Sequence, residues 1–542
     1  MAAQNPLLTV SSLCINAPDG KPLVQNASFS VERREIVALV GESGSGKTLT
    51  SLAVMGLLPG GVYQSDGEIS FNGELIAAPG KTYPRRLRGQ QIATIFQEPM
   101  SSMNPVLKVG EQIAEVLVRH QQLSWKEAHR EAIALLDRVG IVNPEQRAKQ
   151  YIHQLSGGMR QRVMIASAIS CKPALLIADE PTTALDVTIQ AQILSLLQEL
   201  QHEMAMGILF ITHDLSVVAR YADRACVLYQ GNIVEQGDVP TLLTSPQAGY
   251  TRRLIAASQP ESRPCRRKDV TRTPLVQLSQ LTKSYPQAHA LPFFPAKRQT
   301  VLKPTSLEIE RGEIVGLIGE SGSGKTTLGR AAIGLIPADS GTIIFDGLDV
   351  RRASREQQQG MRRRAQIIFQ DPYASLDPKM AVGEQIAEPL RVHKLRPAGQ
   401  IQSRVIELLE LVGLEASAAS RLPSAFSGGQ RQRVAIARAL ALEPELLVAD
   451  EAVSALDLSV RGQILALLAD LRNRLGLTVL FISHDLGAVR QACDRVVVLY
   501  RGEIVETGAT QQVLDRPQHE YTRQLLSAAP NIQQALKLRA AG

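Results

Sequence analysis

The sequence predicts two tandem α/β domains, each folded around a mostly parallel β-sheet. Three observations carry this reading. The chain has 542 residues, three to four times the roughly 150 of an average domain. Most of it occurs twice: GESGSGKT at 41–48 returns at 319–326, SGGMRQRVMIA at 156–166 as SGGQRQRVAIA at 427–437, LLIADE at 175–180 as LLVADE at 446–451, and FITHDL at 210–215 as FISHDL at 481–486. Within each copy, short apolar runs alternate with longer helical patterns, the signature of a parallel sheet with functional loops at its carboxyl edge.

The offset between copies is 278 residues at Gly41 and Gly319, and 271 from Ser156 and Ser427 through Tyr250 and Tyr521. A repeat of that size is a whole domain and not a solenoid unit. One domain is expected at 1–259 and the second at 274–542, joined by a basic, proline-containing linker at 260–273.

Composition narrows the class further. Hydrophobic residues make up 44% and charged residues 20%, which excludes collagen, a coiled-coil rod and a disordered chain. No run approaches 18 uncharged apolar residues, so the chain is not expected to span a membrane. The amino terminus lacks the basic and apolar regions of a secretory signal. Cys14, Cys171, Cys226, Cys265 and Cys493 lie far apart with no C-x-x-C pair, and they read as reduced cytosolic thiols. The net charge of +7 is mild for this length. It is concentrated at Arg263, Arg266, Arg267, Lys268 and Arg272, which read as a solvated linker.

Along each copy, 36–40 and 314–318 are apolar, β-branched runs that read as buried strands. The helices that follow the glycine loops are expected to run about ten residues and stop at Pro59 and Pro337. Further short strands are expected at 175–178, 208–212, 446–449 and 479–483. The segments 227–237 and 498–508 read as hairpins turning at Gly231 and Gly502.

GxxxxGK[ST] between a strand and a helix is a phosphate-binding loop. Gly41, Gly44 and Gly46, and likewise Gly319, Gly322 and Gly324, let successive backbone N–H groups approach phosphate oxygens without a Cβ in the way. Lys47 and Lys325 supply a point charge, and Thr48 and Thr326 a hydroxyl able to ligate Mg²⁺. Asp179 and Asp450 end apolar strands, where a carboxylate can hold Mg²⁺ through water. Glu180 and Glu451 come next and can polarise an attacking water. Each glutamate lies 24 residues past its copy's serine motif, at Ser156 or Ser427, and 33 residues before His213 or His484. Ser156, Gly157 and Gly158, like Ser427, Gly428 and Gly429, open a helix whose amino end is a second anion site. Since the glycine loop of the same copy already cradles its nucleotide, the natural target of that second site is the γ-phosphate held by the other copy.

Together these motifs resemble the ATP-binding cassette ATPases over nearly all of both halves. That resemblance adds Gln97 and Gln370, the segments ALD at 184–186 and 455–457, and a γ-phosphate-sensing role for His213 and His484. It implies an antiparallel β portion and a helical subdomain beside each core sheet. It also implies ATP and Mg²⁺ as cofactors, with Gln97 and Gln370 joining Thr48, Asp179, Thr326 and Asp450 at the metal, and a head-to-tail sandwich. One site would join Lys47, Thr48, Gln97, Asp179, Glu180 and His213 to Ser427, Gly428 and Gly429. The other would join Lys325, Thr326, Gln370, Asp450, Glu451 and His484 to Ser156, Gly157 and Gly158. Glu180, Glu451, His213 and His484 would be the catalytic residues.

EPMSSMNP after Gln97, DPYASLDP after Gln370, and the P-x₃-Y-T tails at 246–251 and 517–522 are similar to ATPases of dipeptide, oligopeptide and nickel importers. The fused form resembles versions serving oligopeptides or microcin C. The likeness implies two membrane permease subunits, a periplasmic binding protein and a peripheral place on the cytoplasmic face of the inner membrane. The segments after Gln97 and Gln370 would receive the permeases' cytoplasmic helices. Tyr285 matches the family's adenine-stacking aromatic, whereas Ala17 stands opposite it in the first copy. Ala452 replaces Pro181 after the second acidic pair, and a local backbone change is expected there. The alternative is a tandem ATPase clamping ribosomes or nucleic acid. Such clamps carry a long charged arm or zinc modules, and the linker here is about 15 residues without zinc pairs.

Overall fold

The computed structural model describes residues 6–182, 185–258, 273–286, 298–454 and 456–541. Residues 260–272 of the expected linker, with Cys265 and the basic stretch, and Ala184 and Ala455 lie outside them. The chain divides into two compact units, Met1–Gln259 with Pro530–Gly542, and Pro260–Ala529. No helix among the described residues is long and apolar enough to cross a membrane.

In the first unit a six-stranded sheet runs, edge to edge, through Asn232–Asp238, Arg224–Tyr229, Ile36–Val40, Gly207–Thr212, Leu175–Asp179 and Ile92–Ile95. All neighbours are parallel except the first pair, a hairpin turning at Gly231, where φ is +82°. Ile36, Ala38 and Val40 face one apolar cluster, and Val37 and Leu39 face another. A strand buried on both faces reads as a continuous apolar run, which is why 36–40 shows no alternation. An antiparallel sheet of Pro22–Val31, Leu8–Asn16, Tyr63–Phe71 and Glu74–Ala77 forms a second layer. Helices Val109–Gln121, Trp125–Arg138 and Gly157–Ile169 make up a helical part.

The second unit repeats this plan. Its sheet runs Ala365–Ile368, Leu446–Asp450, Thr478–Ile482, Ile314–Ile318, Arg495–Tyr500 and Glu503–Ala509, again with only the last pair antiparallel. Ile314 and Ile318 face one cluster, Val315 and Leu317 another.

Two boundaries differ from the sequence reading. The helices after the glycine loops are Lys47–Val54 and Lys325–Ala332, and they stop short of Pro59 and Pro337. Gly56 (φ +61°) and Gly334 (φ +68°) end them. A left-handed glycine satisfies the last carbonyls before the proline is reached. The final helix, Ile532–Ala541, follows the second unit in sequence but belongs by packing to the first. Its Ile532 and Ala535 are buried in that unit's core.

Candidate nucleotide-binding sites

Parallel register gathers the motif residues at one edge. In the first unit Val40 pairs with Thr212, Asp179 with Ile211, and Ile95 with Ala178. Gly41 therefore leaves the sheet beside His213, and Gln97, two residues past Ile95, falls level with Glu180. In the second unit Ile368 pairs with Ala449 and Asp450 with Ile482, which brings Gln370 level with Glu451 and places both near His484.

Each glycine loop turns through left-handed glycines and opens a helix. Gly46 has φ +102° and Gly324 φ +104° at the helix N-caps, a conformation that a side chain would strain. Close packing adds a second constraint, since a Cβ on Gly46 would sit 2.8 Å from Val24 Cγ2. Lys47 is buried and its Nζ donates to the carbonyls of Gly41 (2.8 Å) and Glu42 (2.9 Å). Lys325 does the same to Gly319 and Glu320, both at 2.8 Å. The ammonium is thus folded back across its own loop.

Thr48 Oγ1 lies 3.5 Å from Asp179 Oδ1, and Thr326 Oγ1 donates to Asp450 Oδ1 at 3.0 Å. Burial pushes the Asp179 carboxyl up to about 6. Thr48 and Lys47 oppose that rise and the neighbouring Glu180 charge adds to it. Burial also raises Asp450, against the Thr326 hydrogen bond and Arg330. Arg330 Nη2 lies 3.7 Å from Asp450 Oδ2.

The carboxylate of Glu180 is held from two sides. Gln97 Nε2 donates to Oε2 at 2.9 Å, and His213 Nδ1 lies 3.1 Å from Oε1. Glu451 receives Gln370 Nε2 at 2.7 Å and has His484 Nδ1 at 3.5 Å. Burial would raise Glu451, but His484, Lys325 and Gln370 outweigh it and hold the carboxyl below its ordinary range. The expected backbone change beside Ala452 does not reach the glutamate: φ is +45° at Glu180 and +51° at Glu451.

Ser156 and Ser427 cap separate helices, Gly157–Ile169 and Gly428–Leu440. Ser156 Oγ accepts from the Met159 N–H at 3.4 Å, and Ser427 Oγ from that of Gln430 at 3.3 Å. A Cβ on Gly158 would lie 2.7 Å from Ile189 Cγ2, and one on Gly429 2.2 Å from Val460 Cγ1. The second glycine of each motif is thus required by helix packing. Tyr285 is partly exposed, with Lys283 Nζ 5.4 Å from its ring centroid. Ala17 sits in the turn of its hairpin, bonded to the Lys21 carbonyl.

Sequence reasoning missed two residues of the site. Tyr250 Oη accepts from the Glu42 N–H at 3.2 Å, and Tyr521 Oη from the Glu320 N–H at 2.8 Å. Each tyrosine stacks on another, Tyr229 or Tyr500, with centroids 4.2 and 4.0 Å apart. The duplicated tail motif contained the signal, but only the fold brings the tail to the glycine loop.

A family model described as ABC transporter matches residues 24–183 and 302–454. A second, described as oligopeptide/dipeptide transporter, C-terminal region, matches 505–541. The chain is 48% identical over 537 residues to the glutathione import ATP-binding protein GsiA of Escherichia coli K12, covering 94% of this chain and 86% of that protein. It is 49% identical over 538 residues to the GsiA of Shigella dysenteriae serotype 1, with the same coverage. Among solved structures, the dimeric structure of a bacterial ABC transporter cassette is 30% identical and covers 43% of this chain and 98% of that one, with a TM-score of 0.39.

Proposed function

The chain belongs to the ABC transporter family as an ATP-binding ATPase, and from that premise we propose that it powers an importer for glutathione or a related short peptide. Its partners are two membrane permease subunits and a periplasmic binding protein, and it sits peripherally on the cytoplasmic face of the inner membrane through the permeases. The observation that carries the ATPase chemistry is the same linked set of side chains in both units, lysine folded over the glycine loop, threonine against aspartate, and glutamate held by glutamine and histidine. The solute reading rests on the 48% identity to glutathione import ATP-binding proteins and on the oligopeptide/dipeptide transporter match at 505–541.

The chemistry follows from those contacts. Lys47 and Lys325 exchange backbone carbonyls for the β- and γ-phosphates of ATP. Thr48 with Asp179 and Thr326 with Asp450 would hold Mg²⁺, with Gln97 and Gln370 beside them. A hydroxyl and a carboxylate oxygen lie 3.5 Å apart in the first site and 3.0 Å apart in the second, and such hard oxygens are the donors that Mg²⁺ takes. Mg²⁺ bound there would neutralise charge on the phosphate oxygens. Glu180 and Glu451 orient and deprotonate water for attack on the γ-phosphorus, and Gln97, Gln370, His213 and His484 fix their carboxylates. Ser427, Gly428 and Gly429 would close over the first nucleotide, and Ser156, Gly157 and Gly158 over the second.

Exposed apolar side chains beside the glutamines suit permease docking: Phe96, Met100 and Val106 in the first unit, Phe369 and Val392 in the second. In the second unit Phe369, Ser375, Val392 and Arg438 line one groove. No observation favours the ribosome or nucleic-acid reading. The test is to copurify the full chain with its permeases in detergent and measure ATPase with the periplasmic binding protein loaded in turn with glutathione, dipeptides and chelated nickel. Stimulation by glutathione or a short peptide is the expected result. Stimulation by nickel alone, or none with any solute, overturns the reading.

A further inference from the structure

The strand entering each glycine loop is clasped at its start by an aspartate. In the second unit the Ile314 N–H donates to Asp494 Oδ2 at 2.9 Å, and the Asp494 N–H returns to the Ile314 carbonyl at 2.9 Å. In the first unit Ile36 and Asp223 do the same at 2.9 and 2.8 Å. Asp223 and Asp494 follow the short helices Leu215–Tyr221 and Leu486–Ala492, which themselves begin just past the site histidines. The clasp therefore fixes two approaches to the site, the glycine-loop strand and the helix behind the histidine.

The second unit supports its clasp with two side chains of its own. Arg472, buried on helix Leu458–Leu475, places Nη1 3.3 and 3.2 Å from the two carboxylate oxygens of Asp494. Thr510 Oγ1 donates to the adjoining Cys493 carbonyl at 2.7 Å. At the repeat's offset of 271, Arg472 corresponds to Gln201 and Thr510 to Val239. The first unit thus lacks both the cation and the hydroxyl, yet keeps the carboxylate and the carbonyl, at Asp223 and Ala222.

Both acceptors are met by one residue from the end of the chain. Arg539 Nη2 lies 3.1 Å from Asp223 Oδ1, and its Nη1 bonds the Ala222 carbonyl. The helix that carries it, Ile532–Ala541, is seated by Ile532 and Ala535 in the same apolar cluster as Val217, Val218 and Ala219. We infer that Arg539 is a positioning residue of the first nucleotide site, a single guanidinium standing in for the two side chains, Arg472 and Thr510, that brace the second. A guanidinium suits this substitution because its fork can serve two oxygens at once. The carboxyl-terminal helix is then an integral part of the first ATPase unit.

The test is hydrogen–deuterium exchange on the full-length chain, read at Ile36 and Asp223, with Ile314 and Asp494 as internal reference. Arg539→Ala should speed exchange at Ile36 and Asp223 several-fold and leave the reference unchanged. Arg539→Lys, which offers one donor group in place of a fork, should fall between. Adding Gln201→Arg and Val239→Thr to Arg539→Ala should restore slow exchange, whereas the same pair in the otherwise native chain should change it by less than twofold. Val239→Thr alone is nearly isosteric and should recover part of the loss even where Gln201→Arg packs poorly. ATP affinity measured in a Lys325→Ala background should follow the same order, weakening two- to fivefold with Arg539→Ala. Exchange at Ile36 unchanged by Arg539→Ala, an equal effect at Ile314, or no recovery with Val239→Thr would overturn the inference.

Discussion

Removing one oxygen atom at Tyr521 tests whether the tail tyrosines hold the glycine loops. Tyr521 Oη accepts from the Glu320 N–H at 2.8 Å, and the ring is 5% exposed and stacked on Tyr500. Tyr521→Phe keeps the ring, and with it the stacking worth about 0.5–1.5 kcal/mol. The hydroxyl goes, and with it the bond from the Glu320 N–H. A hydrogen bond of this kind contributes about 0.5–1.5 kcal/mol net, which is roughly a two- to twelvefold change in an equilibrium constant. Because that amide lies in the loop that must be ordered to receive phosphate, the loss should be read as weaker ATP binding at the second site, with little change in melting temperature. The corresponding bond from Tyr250 is longer, 3.2 Å, so Tyr250→Phe should cost less at the first site. The assay is titration with a fluorescent ATP analogue on the full chain, with Lys47→Ala or Lys325→Ala silencing the other site. Native affinity in Tyr521→Phe, or a larger loss from Tyr250→Phe than from Tyr521→Phe, would refute the reasoning.

Gly429→Ala should destabilise the second unit by about 1–3 kcal/mol, since its Cβ would lie 2.2 Å from Val460 Cγ1. A thermal melt should show that loss, reduced for Gly158→Ala and largely recovered by Gly429→Ala with Val460→Ala. Glu180→Gln and Glu451→Gln should each lower turnover at their own site by about two orders of magnitude or more with ATP still bound, as measured by phosphate release after a single turnover. Acid should weaken the second unit before the first. Hydrogen bonds from Arg364 and Arg311 hold the carboxyls of Asp346 and Glu445 below their ordinary range, whereas the first unit has neutral Asn72 at the place of Asp346, bonded to Arg33. Depressed carboxyls give stability that is complete above about pH 4 and lost as pH falls through their folded values. These groups are a little over a third exposed, so about 1 kcal/mol is expected, and Asp346→Asn with Glu445→Gln should flatten the difference in acid unfolding.

The site was legible wherever chemistry sits at the end of a buried parallel strand. An apolar run of five residues fixes the strand, the strand fixes its carboxyl end, and the register brings Gln97, Glu180 and His213 together from stretches far apart in sequence. What escaped depends on contacts that periodicity does not encode. Pro59 was a visible stop signal, but the helix ends at Gly56, where a left-handed turn becomes available first. Tyr250 was visible as part of a repeated tail, while its hydrogen bond to Glu42 depends on where the hairpin Arg224–Tyr229 and Asn232–Asp238 puts Tyr229 beneath it. Arg539 has no counterpart in the first copy, so the repeat that revealed the other residues gave no signal for it.

The paired acids show the limit most sharply. Along a strand successive side chains point to opposite faces, so an extended residue after Asp179 would turn its carboxylate away from the one that meets Thr48. Glu180 and Glu451 instead adopt φ of +45° and +51°, a left-handed conformation that costs a residue with a Cβ about 1–2 kcal/mol. Pro181 cannot be what imposes it, because Ala452 follows Glu451 and the backbone is the same. The shared features are the hydrogen bonds: the Glu180 N–H to the Ile211 carbonyl at 3.0 Å and the Glu451 N–H to that of Ile482 at 2.9 Å, with a glutamine and a histidine on each carboxylate. Several bonds of about 1 kcal/mol each exceed the strain, so the turn persists and both acids face the phosphate-binding edge. The conformation is thus set by neighbours on two other strands, which is why neither the proline nor its absence could forecast it.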